Sequence, residues 1–390
     1  MADSKGGKTL SLKEELSKRS RSKLLKRIRI PVAILLVAAV AGSILFALGD
    51  TRRSNIADSF RAIPITFGGS PGYPYGEDDL SLSKVMLVGD KPLLVTDSGV
   101  RVLSQNADEL QFIPIDRSNT KAYSFNGRAL LYSNTSDKAY LISRTKVLNT
   151  FEEDGTVITA AVGKDGSCAL SCTGDKVQSV VKVYSPEGSL RFRWDCSRDY
   201  VSSLSLSGNG RKVFISAISS ENARLFSRLI LFKTSGSESE FEVALKGTTV
   251  LKTVASSSHY VAVGDNKTVI LSSKGETLYE TEYPADSLYA AFGDSKGNCL
   301  VCYKQFGGSK LSFIYIPAHS KTPSEFTLDY LPACLDMRGR RIAAALDNTV
   351  KVLSPHGDVK EEYECDNKVG TVLLQSEGIF TLENGSVCKY

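Results

Sequence analysis

Residues 206–215 read LSGNGRKVFI, and this stretch decides the fold. A Ser-Gly-Asn-Gly cluster sits between two runs that alternate apolar and small polar residues, 200–206 and 213–217. Asn-Gly supplies the positive-φ positions that a two-residue hairpin needs. The period is two, so the segment is a β-hairpin and not a helix. The same punctuation recurs along the chain. It appears at Gly89-Asp90, Asn126-Gly127, Asp165-Gly166, Asn209-Gly210, Ser258-His259, Lys296-Gly297, Arg338-Gly339 and Glu377-Gly378. Counted from the second residue of each pair, the steps are 37, 39, 44, 49, 38, 42 and 39.

A second marker gives the same period. Ser104, Ser185, Ser272 and Ser354 each follow a small apolar pair, and Gly188, Gly275 and Gly357 come three residues after the last three. Their spacings of 81, 87 and 82 are close to twice the unit length. Four short strands per forty-odd residues describe a propeller blade. A lone four-stranded sheet leaves both faces bare, and radial packing against its neighbours covers them. The expected fold is therefore all-β: an eight-bladed propeller, with seven blades as the alternative. The last unit, 368–390, has room for three strands only. The predicted fourth is 62–67, and its pairing with the C-terminal blade removes an open sheet edge. No helix is expected after residue 50.

Upstream, residues 31–48 read PVAILLVAAVAGSILFAL, 18 residues without a charge. About 20 apolar residues span a bilayer as a helix. Ten Lys/Arg precede this run within residues 1–30, and the flank after it is only weakly charged. The positive-inside rule then keeps the N-terminus cytoplasmic. The long basic region and long apolar run favour an uncleaved anchor over a signal peptide. The expected organisation is a basic cytoplasmic segment at 1–29, a transmembrane helix at 30–49, a tether at 50–59 and an extracytoplasmic propeller at 60–390. The expected location is the plasma membrane, with the bilayer as one partner.

Charge excludes one class of partner. Removing residues 1–30 leaves 38 basic and 40 acidic residues, so the folded part lacks the basic surface that nucleic acid requires. No nucleophile elbow, phosphate loop or zinc-type Cys pattern is present, and the chain has three His. No catalytic residue, metal site or cofactor is expected. His259, His319 and His356 fall in turns and read as exposed. The eight cysteines include Cys168/Cys172 and Cys299/Cys302, whose strand spacing does not suit a disulfide within either pair, so buried small thiols are the expectation.

Two features mark a binding face. Asp116, Asp154, Asp199, Asp286, Asp329 and Asp366 lie in connections between units, which gather at one mouth of a propeller's channel. The second-to-third strand connections are long at 172–178, 218–226 and 303–310, on that same mouth. Loops on a rigid scaffold are where ligands bind. Of these residues, Asp199, Asp286, Asp329, Asp366, Arg224, Phe226, Tyr303 and Phe306 are the binding candidates, the last four being types favoured at contact centres.

Residues 206–215, together with 185–194 (SPEGSLRFRW), resemble the strand–turn–strand signatures of WD40-like, YVTN-like and quinoprotein-like propellers. With its basic N-terminus and single span, the whole chain is similar to an uncharacterised membrane-anchored bacterial β-propeller family. The resemblance implies fold and topology and carries over no catalytic residue. The chain lacks repeated Gly-His and Trp-Asp pairs, and its single Trp194 sets it apart from quinone-binding propellers. The function expected is a non-enzymatic, membrane-anchored scaffold that binds a protein or a cell-wall glycan. The alternatives are a carboxylate-based hydrolase or lyase at the channel mouth, or a transmembrane signal relay.

Overall fold

The computed structural model describes residues 56–62, 71–76, 82–115, 120–125, 127–207, 210–294 and 296–390. The predicted span at 30–49 lies outside them. Among the described residues no helix is long and apolar enough to cross a membrane. Residues Ser54–Tyr390 form one compact unit.

Among the described residues, 31 strands form eight antiparallel meanders, seven of four strands and one of three. The blades run 82–113, 120–152, 157–196, 200–246, 250–282, 288–328, 334–364 and 369–389. Each blade's first strand lines the centre, and its last lies at the rim. Successive inner strands touch in order, and the first (Leu82–Val88) also touches the eighth (Val369–Leu374), so the ring closes.

The core follows from this geometry. Buried side chains form eight clusters, one between each pair of neighbouring blades. Strands of the second and third rank, such as Arg128–Ser133 and Leu311–Ile316, are buried on both faces and read as continuous apolar runs. Fourth strands alternate, as in Val359–Glu364, because one face meets solvent. At the closure, Val85, Leu94 and Leu103 of blade 1 pack on Phe380 and Val387 of blade 8. All eight cysteines are free, six of them buried. Burial pushes the Cys299 and Cys365 thiols up to about 12.

The serine-marked turn is a repeated device. The Ser104 Oγ accepts the N–H groups of Asn106 and Asp108, both at 3.0 Å. Ser272 does the same for Lys274 and Glu276 at 3.1 Å, and Ser354 for His356 and Asp358. One hydroxyl thus satisfies two backbone donors that a tight turn would orphan.

Three placements differ from expectation. Residues 56–62 are helical. The segment is too short to show a period, and tertiary contact holds it: buried Asp58 faces Arg128 at 3.7 Å and accepts from Thr145 at 2.9 Å. Residues 56–59 of the expected tether therefore dock on blade 2. The edge of blade 8 is met by Tyr75, which exchanges backbone hydrogen bonds of 2.8 and 2.7 Å with Val387. Of the strand expected at 62–67, residues 63–67 lie outside the described residues, and Ala62 packs on the core between blades 1 and 2. Finally, His259 is fully buried. It sits in its turn with Nδ1 3.0 Å from the Ser258 Oγ, and burial lowers its pKa.

Candidate functional site

A four-stranded meander sorts its connections onto two faces. First-to-second and third-to-fourth strand turns share one end of each sheet, here termed the turn face. Second-to-third strand connections and the links between blades share the other, the loop face. All eight candidate residues belong to the loop-face end of the blades.

The structure separates them by role. Asp199 is 2% exposed and forms an ion pair with Arg228, which also binds Glu242 at 2.8 Å. Its charge is therefore spent on blade 4. Asp329 holds Lys310 at 2.5 Å in an exposed pair and ties the 305–310 loop to the end of the same blade's fourth strand. Asp366 donates its N–H to the Tyr390 hydroxyl at 3.0 Å, leaving its carboxylate exposed. Asp286 is exposed with φ +61°, a conformation that suits the short Asp side chain. Among the described residues, no three His, Cys, Asp or Glu are grouped to hold a metal. The aspartates act locally and do not converge.

The expected loop at 218–226 is instead a longer hairpin. The strands Lys212–Glu221 and Arg224–Lys233 pair up to Glu221 and Arg224, and Asn222 and Ala223 make the turn with φ of +52° and +60°. Two consecutive positive φ values define the tight turn whose twist matches its strands, so the hairpin continues without a loop. Arg224 and Leu225 are exposed near its tip, and Phe226 is half-buried. Tyr303 is half-buried and stacks on Tyr283 at 5.0 Å and 18° between blades 5 and 6. Phe306 has no such cover. Its side chain is 102% exposed, and Gly307 and Gly308 follow it with φ of +92° and +75°. Side chains rarely adopt those angles, so the glycines turn the chain behind Phe306 and leave it projecting.

Two pockets open on the loop face. One, of about 290 Å³, lies at the rim of blade 3, lined by the 173–177 loop, Glu153, Asp154, Lys182 and Arg193. Glu153 is buried there and accepts from the Lys182 Nζ and the Tyr184 hydroxyl, both at 2.6 Å. Burial alone would lower the Lys182 pKa, but the hydrogen bond and charge of Glu153 raise it. Cys172 lines the same pocket, and burial raises its thiol pKa, so it is not held as a thiolate. A second pocket, of about 340 Å³, lies among Tyr330, Asp347, Asn348, Lys351 and Glu362. Glu153 gave no sequence signal, because its partners sit about 30 residues away in another strand.

No curated protein matches the chain. Solved structures share its fold at low identity. Sqt1 of Saccharomyces cerevisiae aligns with a TM-score of 0.54 at 11% identity, covering 82% of this chain and 98% of that one. The computationally designed Ika8 protein gives 0.54 and 11%, covering 83% and 99%. BamB of Moraxella catarrhalis gives 0.49 and 11%, covering 80% and 99%. At these identities the likeness concerns the fold alone. A family profile matches residues 75–386, nearly the whole ring, and the chain belongs to that family, the family of unknown function DUF5711.

Proposed function

We propose that this chain is a non-enzymatic scaffold whose loop face binds a protein partner outside the membrane, with residues 30–49 as its anchor and the N-terminus in the cytoplasm. The observation that carries the reading is Phe306, a large apolar side chain wholly in solvent on a glycine-turned loop. Leu225, 58% exposed near the tip of the projecting hairpin of blade 4, belongs to the same face. Aromatic side chains held out by a rigid ring suit a partner's apolar pocket better than they suit water. The non-enzymatic reading rests on chemistry already consumed: Asp199 and Glu153 are neutralised by Arg228 and Lys182, and Cys172 is buried.

The turn face already carries a segment of this chain. Residues 56–62 contact Arg128, Arg144 and Thr145, all on the turn face.

The test is a Phe306→Ser/Leu225→Ser double variant of the tagged full chain in its own membranes. After in-cell crosslinking, the partner co-isolated with the wild type is expected to fall to background in the variant, at unchanged protein level and Tm. Undiminished recovery of the same partner overturns the reading.

A further inference from the structure

The wall of the channel carries a charge imbalance that the loop face does not explain. Across the eight inner strands there is one acidic residue, Asp336, against Lys84, Lys121, Lys252 and Arg338. Two of these five groups are accounted for on the turn-face side of the ring. Arg338 holds Asp90 at 2.5 Å, and the Asp336 carboxylate accepts the Leu374 N–H at 2.7 Å. The three lysines are left over.

They occupy one level of the ring. Lys84 lies four residues before Val88, which faces Lys91 across the hairpin, and Lys121 lies four before Phe125, which faces Arg128. Lys252 lies four before Ser256, whose N–H meets the His259 carbonyl. Inner strands begin at the loop face, so this level is near the loop-face mouth. In blades 1 and 5 a bulge immediately precedes the lysine, a device that re-aims a side chain. Lys252 of blade 5 reaches Tyr123 of blade 2: it donates to the Tyr123 hydroxyl and lies 4.5 Å from its ring centre. Its ammonium is thereby held in place from across the ring.

Among the described residues, none of the three lysines forms an ion pair with a carboxylate. Burial lowers the Lys84 pKa, and the charges of Lys121 and Lys252 lower it further. Lys84 and Lys121 are exposed and Lys252 is half-buried, and gathering three like charges at one level carries a repulsion that a bound anion relieves. Three ammonium groups carry up to three positive charges. That total suits a phosphate ester better than one carboxylate, and the ammonium is a point-charge phosphate binder.

We propose that the loop-face mouth of the channel is a binding site for a phosphate-bearing anion, held by Lys84, Lys121 and Lys252 with Tyr123 orienting Lys252. The proposal is independent of the Phe306 reading, and the failure of either leaves the other standing.

The test titrates the detergent-solubilised full chain with inorganic pyrophosphate by calorimetry, and in a second arm with short-chain phosphatidylglycerol. One-site binding is expected to weaken about tenfold in each of Lys84→Gln and Lys121→Gln, the loss of one charge-assisted contact. It is expected to be abolished in the double variant and unchanged in Lys360→Gln, an exposed control on a rim strand. Tighter binding of pyrophosphate assigns a soluble ester, and tighter binding of the lipid assigns a headgroup. A second readout guards against misfolding: pyrophosphate raises the Tm of the wild type but not of the double variant, whose own Tm is no lower than the ligand-free wild type. Absence of binding in both arms, or wild-type affinity in the double variant, overturns the proposal.

Discussion

The two faces of the ring are made by the same meanders and differ in what they do with polar groups. On the turn face, serine hydroxyls collect the free backbone donors, as at Ser104, Ser272 and Ser354. Asp58 is buried there against Arg128 and Thr145. On the loop face the connections vary in length, Phe306 is bare, and the blade 4 hairpin projects. The turn face closes its turns with local hydrogen bonds and carries a docked helix, whereas the loop face projects a hairpin and a bare aromatic side chain.

The largest expected break in that comparison is Asp58→Ala. It leaves the Arg128 guanidinium buried without its carboxylate, and breaking a buried pair costs about 3 kcal/mol. Chemical denaturation of the full chain in detergent is expected to show a lower midpoint, with faster proteolysis of residues 54–62. An unchanged midpoint would mean that the docked helix contributes nothing to the ring.

Next is Asp336→Asn, on the channel wall toward the turn face. Burial raises the Asp336 pKa from 3.8 to about 6. A carboxyl whose folded pKa exceeds its unfolded value stabilises the fold below the unfolded pKa, and that contribution is lost as pH rises through the folded one. The wild type is therefore expected to lose on the order of 2 kcal/mol between pH 4 and pH 6.5 from this group, at 1.36 kcal/mol per unit. The Asn variant is expected to be the more stable at pH 7.5 and equal to the wild type near pH 3.5. His259 gives the opposite trend. Its pKa is lowered from 6.5 by burial, so its contribution is present above pH 6.5 and declines as pH falls below it. His259→Asn is expected to flatten that acid limb in thermal scans across pH 5 to 7.

Smaller effects sharpen the contrast. Ser354→Ala removes the acceptor for two turn donors and is expected to cost about 1 kcal/mol. Phe306→Ser removes no contact and is expected to shift stability by less than about 0.5 kcal/mol. Equal costs for the two substitutions would erase the distinction between the faces.

Much of this was legible before the structure. Turn chemistry is local, so Asn-Gly, Asp-Gly and the Ser-marked turns counted eight units correctly. What failed was non-local. The strand expected at 218–226 to break into a loop continues, because Ala223 takes a positive φ that its side chain does not advertise. His259 looked exposed because turns usually are, yet it is buried against the Ser256–Ser258 turn. Among the candidate residues, Phe306, Arg224, Asp286, Asp366 and Asp329 are exposed, Asp329 in an ion pair with Lys310, whereas Asp199 is buried against Arg228 and Tyr303 stacks on Tyr283. The lysine level stayed hidden because the turns differ in length: Phe125 and Arg128 flank two residues, Ala255 and Tyr260 four. Counting from the second residue of each turn marker therefore misaligns Lys121 and Lys252.

The central claim is that the loop face is the working surface, and site-specific photocrosslinking tests it most directly. A photoreactive phenylalanine analogue is placed in the full chain at Phe306, and separately at His356, an exposed turn-face position. After irradiation of intact cells, a discrete protein adduct from position 306 and none from position 356 is the expected result. Adducts of equal yield and identity from both positions, or an adduct from position 356 alone, would contradict it.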